Sequence, residues 1–393
     1  MIIRWLCYVL LLVVSGSVFA SSSDQEINVP LRLRFINLNA EVLLQHNSTG
    51  YALTQAHRSI PVQLANRLLV KTRADVSANE LKELGLPLSR VQQLAKLQYT
   101  ILWLVTLSDS NDLQKAMDRL QQDARVLYAQ PDLLQIRQLA QQQAINEGKQ
   151  PLLFQRAAIQ KRQVRLAIID DGFNFNHPEF ATINLVFEYD ADQRVKSASP
   201  KNKLDQHGTL VAGVIVAAAD NKGIDGLVPD VELIAIRQVS SWTSDMVLAF
   251  SVARMMQADV VNSSWVLPFL PEPLFDLLTD WVQEKQPYLM FAAGNNRQDA
   301  CKVNALSQLK QAWLVGAATN DGKRQPYSNH GACVALYAPA QFMSTAAIGK
   351  GYREFGGTSA ATAYASGLVA RELAQGRKPD KAAMQQLFNK VMQ

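Results

Sequence analysis

Five short runs, at residues 165–169, 232–236, 259–262, 288–292 and 313–317, constrain this chain more than any other feature. Each is only four or five residues long, and all but 259–262, which holds a Val-Val pair, are mostly apolar. None shows the in-and-out alternation of a strand with one face in water. Helical stretches lie between several of them. Short strands buried on both faces and joined by helices make a mostly parallel sheet with helices on both sides, an α/β fold. In such a sheet the working groups collect where the strands end. The residues that close these runs are therefore the first candidates for chemistry.

The chain has 393 residues, room for two or three domains at about 150 residues each. Its 48% hydrophobic and 19% charged residues exclude a disordered chain. Lys and Arg number 39 against 34 Asp and Glu, a net charge of +5. Spread over this length, that charge argues for neither nucleic acid nor a membrane surface as partner. Residues 1–20 read as a signal peptide. Arg4 gives a positive start, Trp5 to Val14 is apolar, and Val18 and Ala20 occupy the −3 and −1 positions of a cleavage site. The apolar run is short for a membrane span. The expectation is an exported protein, secreted or periplasmic, with no stable membrane insertion after signal cleavage. Cys7 would leave with the signal, so Cys301 and Cys333 remain. Two thiols in an oxidising compartment are expected to form a disulfide; two buried free thiols are the alternative.

Residues 21–137 precede the sheet and hold a compact α+β unit at about 66–136. Leu68-Leu69-Val70-Lys71 reads as a strand, and Ser77-Ala78-Asn79-Glu80 has capping-box spacing before a helix. Residues 100–107 read as a buried strand. Leu113, Ala116, Met117 and Leu120 share one helix face. Val126-Leu127-Tyr128-Ala129 forms a last strand that ends before Pro131. Ahead of this unit only 31–35 alternates like a strand. Residues 138–160 are Gln-rich and read as a linker and maturation region, with a solvated helix as the alternative. The sheet domain spans 161–393.

Four segments of that domain carry chemistry. The first run ends in Asp170-Asp171-Gly172, an acid fixed at a strand end by a tight turn. His207-Gly208-Thr209-Leu210-Val211-Ala212-Gly213 opens an apolar helix; there a histidine serves as a base kept neutral by the helix N-terminus, or as a cap. Ala292-Ala293-Gly294-Asn295 closes the fourth run, and its asparagine is an oxyanion donor or a turn residue. Gly356-Gly357-Thr358-Ser359 opens another small-residue helix. A hydroxyl there has unpaired backbone N–H groups beside it, so it suits a nucleophile, or a simple cap.

Together and in this order, the four segments resemble the subtilisin-like serine protease family. Asp170-Asp171-Gly172 resembles its acid motif, and His207 to Gly213 its histidine motif, with Leu210 the one difference. Ala292 to Asn295 is its intact asparagine motif, and Gly357, Thr358, Ser359, Ala361 and Thr362 match its serine motif. The stretches Asn176 to Phe180, Gly226 to Pro229 and Tyr327 to Gly331 agree as well. The resemblance implies a subtilisin-like catalytic domain, preceded by an inhibitory propeptide, that hydrolyses peptide bonds as an endopeptidase. It implies Asp170, His207 and Ser359 as the triad, Asn295 with the Ser359 N–H as oxyanion donors, and Ser264, Trp265, Val266 and Gly294 along the substrate. It implies a structural role for His177. Protein or peptide substrates and the chain's own propeptide are the expected partners.

Departures from the family pattern carry expectations of their own. Asp171 replaces a small hydroxyl residue and sets a second negative charge beside the acid, which should raise the pKa of one carboxylate. Ala360 and Ala363 are mild changes on a helix. Val266 stands where the family keeps glycine and should narrow the cleft. No cofactor is expected for catalysis. Asp190, Asp192 and Asp205 could offer ligands to a structural calcium ion, but carboxylates on a polar loop assign no metal site. A catalytically silent domain acting as a secreted binding module is the alternative function. An esterase would share the chemistry and differ in turnover of small esters over peptides.

Overall fold

The computed structural model describes residues 32–139 and 162–391, except 49, 56–57, 109–112, 137, 221 and 346–348. The expected signal peptide and nearly all of the expected linker lie outside the described residues. Two domains pack against each other. The N-terminal one is a seven-stranded sheet backed by helices. Strands β1 (Arg32–Asn37), β2 (Ala40–Asn47) and β3 (Gly50–Gln55) form an antiparallel meander that feeds the long β4 (Arg58–Arg73). Then follow α1 (Ala78–Lys82), β5 (Leu88–Lys96), β6 (Thr100–Leu107), α2 (Leu113–Gln121) and β7 (Val126–Gln135). The order is β1-β2-β3-β4-β6-β5, with β7 pairing β4 as well.

Local sequence explains these elements. In β1 the alternation sends Leu33 and Phe35 inward and Arg32 and Arg34 outward. Ser77 and Glu80 close the capping box of α1. Leu113, Ala116, Met117 and Leu120 of α2 are all buried in the core of this domain, each large side chain there stabilising it by about 1.5–3 kcal/mol. Three expectations are corrected. The compact unit begins at Arg32 rather than near 66, because β1–β3 belong to the same sheet. It also contains β5, whose mixed polar sequence hid it. Finally, β7 runs through Pro131 to Gln135; a proline is tolerated there because at Pro131 β4 is the one strand that β7 pairs with, so β7 is an edge at that point.

A two-residue strand, β8 (Gln138–Leu139), leads away from this domain. The C-terminal domain then begins with β9 (Arg165–Asp170), β10 (Asn184–Asp190), α3 (His207–Val216), β11 (Glu232–Arg237), α4 (Thr243–Met255) and β12 (Val260–Ser263). It continues with β13 (Trp265–Val266), α5 (Glu272–Lys285), β14 (Tyr288–Ala292), α6 (Ala300–Val303), β15 (Trp313–Ala318) and β16 (Val334–Pro339). The hairpin of β17 (Gln341–Thr345) and β18 (Tyr352–Gly356) precedes α7 (Gly357–Ala374) and α8 (Lys381–Val391).

The main sheet has the order β10-β11-β9-β12-β14-β15-β16, and every neighbouring pair is parallel. Leu166 and Ile168 of β9 face the layer that holds α3, α7 and α8, while Ala167 and Ile169 face α4 and α5. Both faces are covered, so the α/β architecture is as expected. The two edge strands, β10 and β16, are half-exposed and were not legible as apolar runs. From β9 the chain passes to the edge strand β10, comes back to β11 between the two, then crosses to β12 on the other side of β9. That reversal opens a crevice at the C-terminal ends of β9 and β12.

The N-terminal domain sits on α4 and α5. Neither helix has a capping side chain of its own, and the other domain supplies both caps. Asp132 accepts from Ser244 N at 2.9 Å and Ser244 Oγ at 2.8 Å. Asn37 accepts from Glu272 N at 2.7 Å. Arg67 pairs with Asp132 at 2.9 Å and stacks over Trp242. Leu69, Leu94, Leu102 and Leu104 join the apolar cluster of α4 and α5, and Phe269 enters the core of the N-terminal domain. Burial pushes the Asp132 carboxyl up, against the pull of Arg67 and Ser244.

Asp132→Ala should take the acceptor from the half-buried Arg67 and from the start of α4. We expect a loss of roughly 2–5 kcal/mol in domain association. Urea denaturation of the full chain would register it, whereas Asp75→Ala, whose pair with Arg73 is exposed, should cost at most about 1 kcal/mol. Equal losses would show that Asp132 does not anchor the interface.

Candidate active site

The crevice gathers the four motifs. Asp170 ends β9 and is fully buried. His207 opens α3, and its Nδ1 lies 2.8 Å and 3.0 Å from the two Asp170 oxygens. The backbone holds the acid at both sides: Gln238 N donates to Asp170 O at 2.7 Å, and Asp171 N donates to Asp170 Oδ1 at 2.8 Å. The approach of α3 to this turn requires glycine at 208, since a Cβ there would stand 2.6 Å from Gly172 O. Phe355 packs edge-on against the His207 ring, 5.5 Å between centroids.

Asp171 caps α3. Its two oxygens accept from His207 N at 3.0 Å and Gly208 N at 2.7 Å. The adjacent acids thus grip one histidine at opposite ends, Asp170 at the ring and Asp171 at the backbone. Burial first, then the neighbouring Asp170, pushes the Asp171 carboxyl up to about 6.

Ser359 lies in the first turn of α7, fully buried. Its Oγ donates to Ser264 O at 2.8 Å, and Ser264 Oγ donates to Ser359 O at 3.1 Å. Asn295 follows β14, and its Oδ1 accepts from Thr358 N at 3.0 Å. That bond fixes the amide, so its NH2 end is the one able to donate beside the α7 N-terminus. Thr358 Oγ1 accepts from Gly294 N at 3.1 Å, tying the asparagine turn to the serine turn.

The expected substrate residues divide. Ser264 and Gly294 lie at the crevice, and Val266 lines a cavity of about 310 Å³ with Arg58, Pro268, Asn296, Gln298 and Asn329 among its walls. Trp265 reaches the cleft only through its backbone. Its fully buried side chain points into the core between Phe250 and Phe291 and donates to Ile169 O at 3.1 Å. Gly294 has φ +106°, and a Cβ there would meet Asn329 Nδ2 at 2.5 Å and Val266 Cγ1 at 3.4 Å. Val266 therefore does stand against the opposite wall. The edge of this wall is already paired: β8 runs antiparallel to β13, with Trp265 opposite Leu139 and Val266 opposite Gln138. Just upstream, the Gln135 side chain bonds both Phe269 O and Phe269 N at 3.0 Å.

Two residues that sequence reading did not single out organise the site. Asn329 donates to Ala293 O at 3.0 Å and accepts from Asn296 N and Gln298 N. Phe355 backs the imidazole, and its one signal in the sequence is its place just before Gly356-Gly357. His177 is structural: Nε2 meets Gly351 O at 2.8 Å, and Nδ1 accepts from Glu179 N. Cys301 and Cys333 form a disulfide, with Cα atoms 5.5 Å apart. Asp190, Asp192 and Asp205 converge on Arg237.

The sequence profile of the subtilase family matches residues 161–389, more than half of the chain. A thermophilic serine proteinase of Bacillus sp. (strain AK1) is 28% identical over 233 residues, which are 58% of this chain and 56% of that protein. Alkaline serine exoprotease A of Vibrio alginolyticus is 29% identical over 227 residues, 56% of this chain and 40% of that protein. The chain thus spans about half the length of these curated relatives. The crystal structure of fervidolysin from Fervidobacterium pennivorans, a keratinolytic enzyme related to subtilisin, superposes with a TM-score of 0.64 at 16% identity. The match covers 84% of this chain and 57% of fervidolysin, and it is a likeness of fold.

The Asp171 carboxyl generates a prediction about pH. Because its pKa is raised in the fold, it contributes stability at acid pH that is lost as pH rises through about 6. Asp171→Ser keeps a capping oxygen and removes the charge. In thermal denaturation between about pH 5 and pH 8, wild type should lose about 1–1.5 kcal/mol more than the variant. Parallel pH profiles would show that Asp171 is not strained by its burial.

Proposed function

The chain belongs to the subtilase family, and from that premise we propose that it is an exported serine endopeptidase, made as a precursor and cut by its own active site. The observation that carries this reading is the bond of Asp170 to His207 Nδ1 beside a crevice where Ser359 and Asn295 also lie. Ser359 Oγ attacks the scissile carbonyl, and His207 Nε2 takes its proton and hands it to the leaving amine. Asp170 holds the tautomer and stabilises the imidazolium. Asn295 Nδ2 and Ser359 N receive the charge that develops on the carbonyl oxygen, a role worth about 10²–10³ in rate per donor. Catalysis in the family needs no cofactor, and each of these roles falls to a group of this chain.

In the precursor Ser359 Oγ donates its proton to Ser264 O, so the hydroxyl must turn to reach the imidazole. That bond also favours a second reading, a silent domain that binds without cutting. The N-terminal domain supports the precursor reading. It covers α4 and α5, and β8 occupies the edge where a substrate strand would pair. The tail advances along that edge toward Ser264, so the self-cut would fall soon after Leu139, and the separated domain would remain as a product-like inhibitor. A tether this short gives the site a high local concentration of its first substrate. Peptides and proteins are the proposed substrates thereafter, met outside the cytoplasm if residues 1–20 direct export.

Two measurements test this. Ser359→Ala should accumulate as signal-cleaved precursor in a protease-deficient host, while wild type yields a shorter chain whose N-terminus lies soon after Leu139. Freed of the N-terminal domain, wild type should react with a fluorophosphonate probe and Ser359→Ala should not; an unlabelled wild type would favour the silent module. Val266→Gly should raise turnover of peptides with a large aromatic residue before the cut, relative to small ones, by roughly tenfold or more. An unchanged ratio would show that residue 266 does not set the pocket width.

A further inference from the structure

The three carboxylates that could have offered ligands to calcium converge in the fold, and a cation already stands among them. Arg237 ends β11 and is only 5% exposed. Its Nη1 donates to Asp190 Oδ2 at 3.1 Å and Asp192 Oδ2 at 3.4 Å, and its Nη2 donates to Asp205 Oδ2 at 2.8 Å. Further acceptor capacity faces N–H groups. Asp190 Oδ1 takes the amides of Asp192 and Gln193 at 3.0 and 2.9 Å. Asp192 Oδ2 takes those of Val239 and Ser240 at 2.8 and 3.2 Å. Asp205 takes Lys201 N and Asn202 Nδ2, each at 2.8 Å. Calcium requires six to eight oxygens turned toward one point. Here five of the six carboxylate oxygens are turned to these donors and a guanidinium occupies their focus, an arrangement that does not fit calcium.

We propose that Arg237 is a built-in counter-ion that takes the place of a divalent cation and orders, without metal, the segment that delivers His207 to Asp170. Two links join it to the site. In the sheet register Arg237 stands opposite Asp170, and its partner Asp205 lies two residues ahead of His207. Burial works against the charge on Arg237, but Asp205 and Asp190 more than offset it, so the guanidinium holds its proton more tightly than usual. Removing the guanidinium leaves three carboxylates together in a poorly solvated place, a set that a hard divalent ion satisfies.

The test compares full chains carrying Ser359→Ala, with and without Arg237→Met, by thermal denaturation and calcium titration calorimetry. In EDTA the Arg237→Met chain should unfold at a clearly lower temperature than its parent. It should gain one calcium-binding event, at roughly tenfold or more higher affinity than the parent shows. Added calcium should restore most of the lost stability, while the parent's midpoint moves less between EDTA and calcium. A destabilised variant that neither binds calcium nor recovers with it would overturn the proposal. If Arg237→Met does not fold, Asp205→Asn decides. A lower midpoint at unchanged calcium stoichiometry supports the built-in ion, and loss of a bound calcium refutes it. None of these readouts depends on hydrolysis, so they stand apart from the proposed protease activity.

Discussion

The site depends on one constraint: all seven strands of the main sheet run the same way. Parallel strands bring their C-terminal ends to a single edge, so Asp170, Ser264 and Asn295 emerge together although they lie far apart in sequence. The reversal of strand order at β9 then leaves a gap that no crossover helix fills. The first turns of α3 and α7 face the gap from one side of the sheet, which is why a histidine and a serine at helix starts can meet an acid at a strand end. Small residues make this approach feasible, Gly208 most clearly, because a Cβ there would collide with Gly172 O.

A second dependence links the domains. Helices α4 and α5 begin with residues that cannot cap themselves, Trp242 and Pro271. Asp132 and Asn37 complete them from outside. The C-terminal domain is therefore finished at two helix ends only while its N-terminal partner is in place, and each cap combines a hydrogen bond with a favourable charge or dipole at a helix start. The apolar contacts between them, with Leu69 and Phe269 crossing in opposite directions, make the caps part of one continuous buried surface.

Much of this was legible in the sequence, for a physical reason. Strands β9, β14 and β15 are buried on both faces, so their apolar runs stand out, and the residues that end them are conspicuous. The capping box of α1 and the inward face of α2 are local patterns and read as such. The remainder depends on tertiary partners. Strands β10 and β16 are half-exposed edges without a clean period. Trp265 lies on the cleft strand, yet the two-residue period of a strand turns its side chain into the core. Asn329 works through Ala293, 36 residues away; the stretch Tyr327 to Gly331 marks its place, but its bond to Ala293 needed the fold. Asp171 was legible as a charge beside the acid, but its role as the cap of α3 needed the fold.

The tail that enters the cleft is held differently at its two ends. At Gln135 a side chain clamps the backbone of Phe269 from both directions; at Gln138 and Leu139 the hold on β13 is main-chain pairing. Backbone pairing is indifferent to which residues make it, so the register is set by how many residues lie between clamp and strand. The interval works as a ruler. Lengthening it by one residue would shift the pairing of Gln138 and Leu139 along β13 by one. The length of this short spacer thereby becomes a structural quantity of its own, open to change without touching any group of the site.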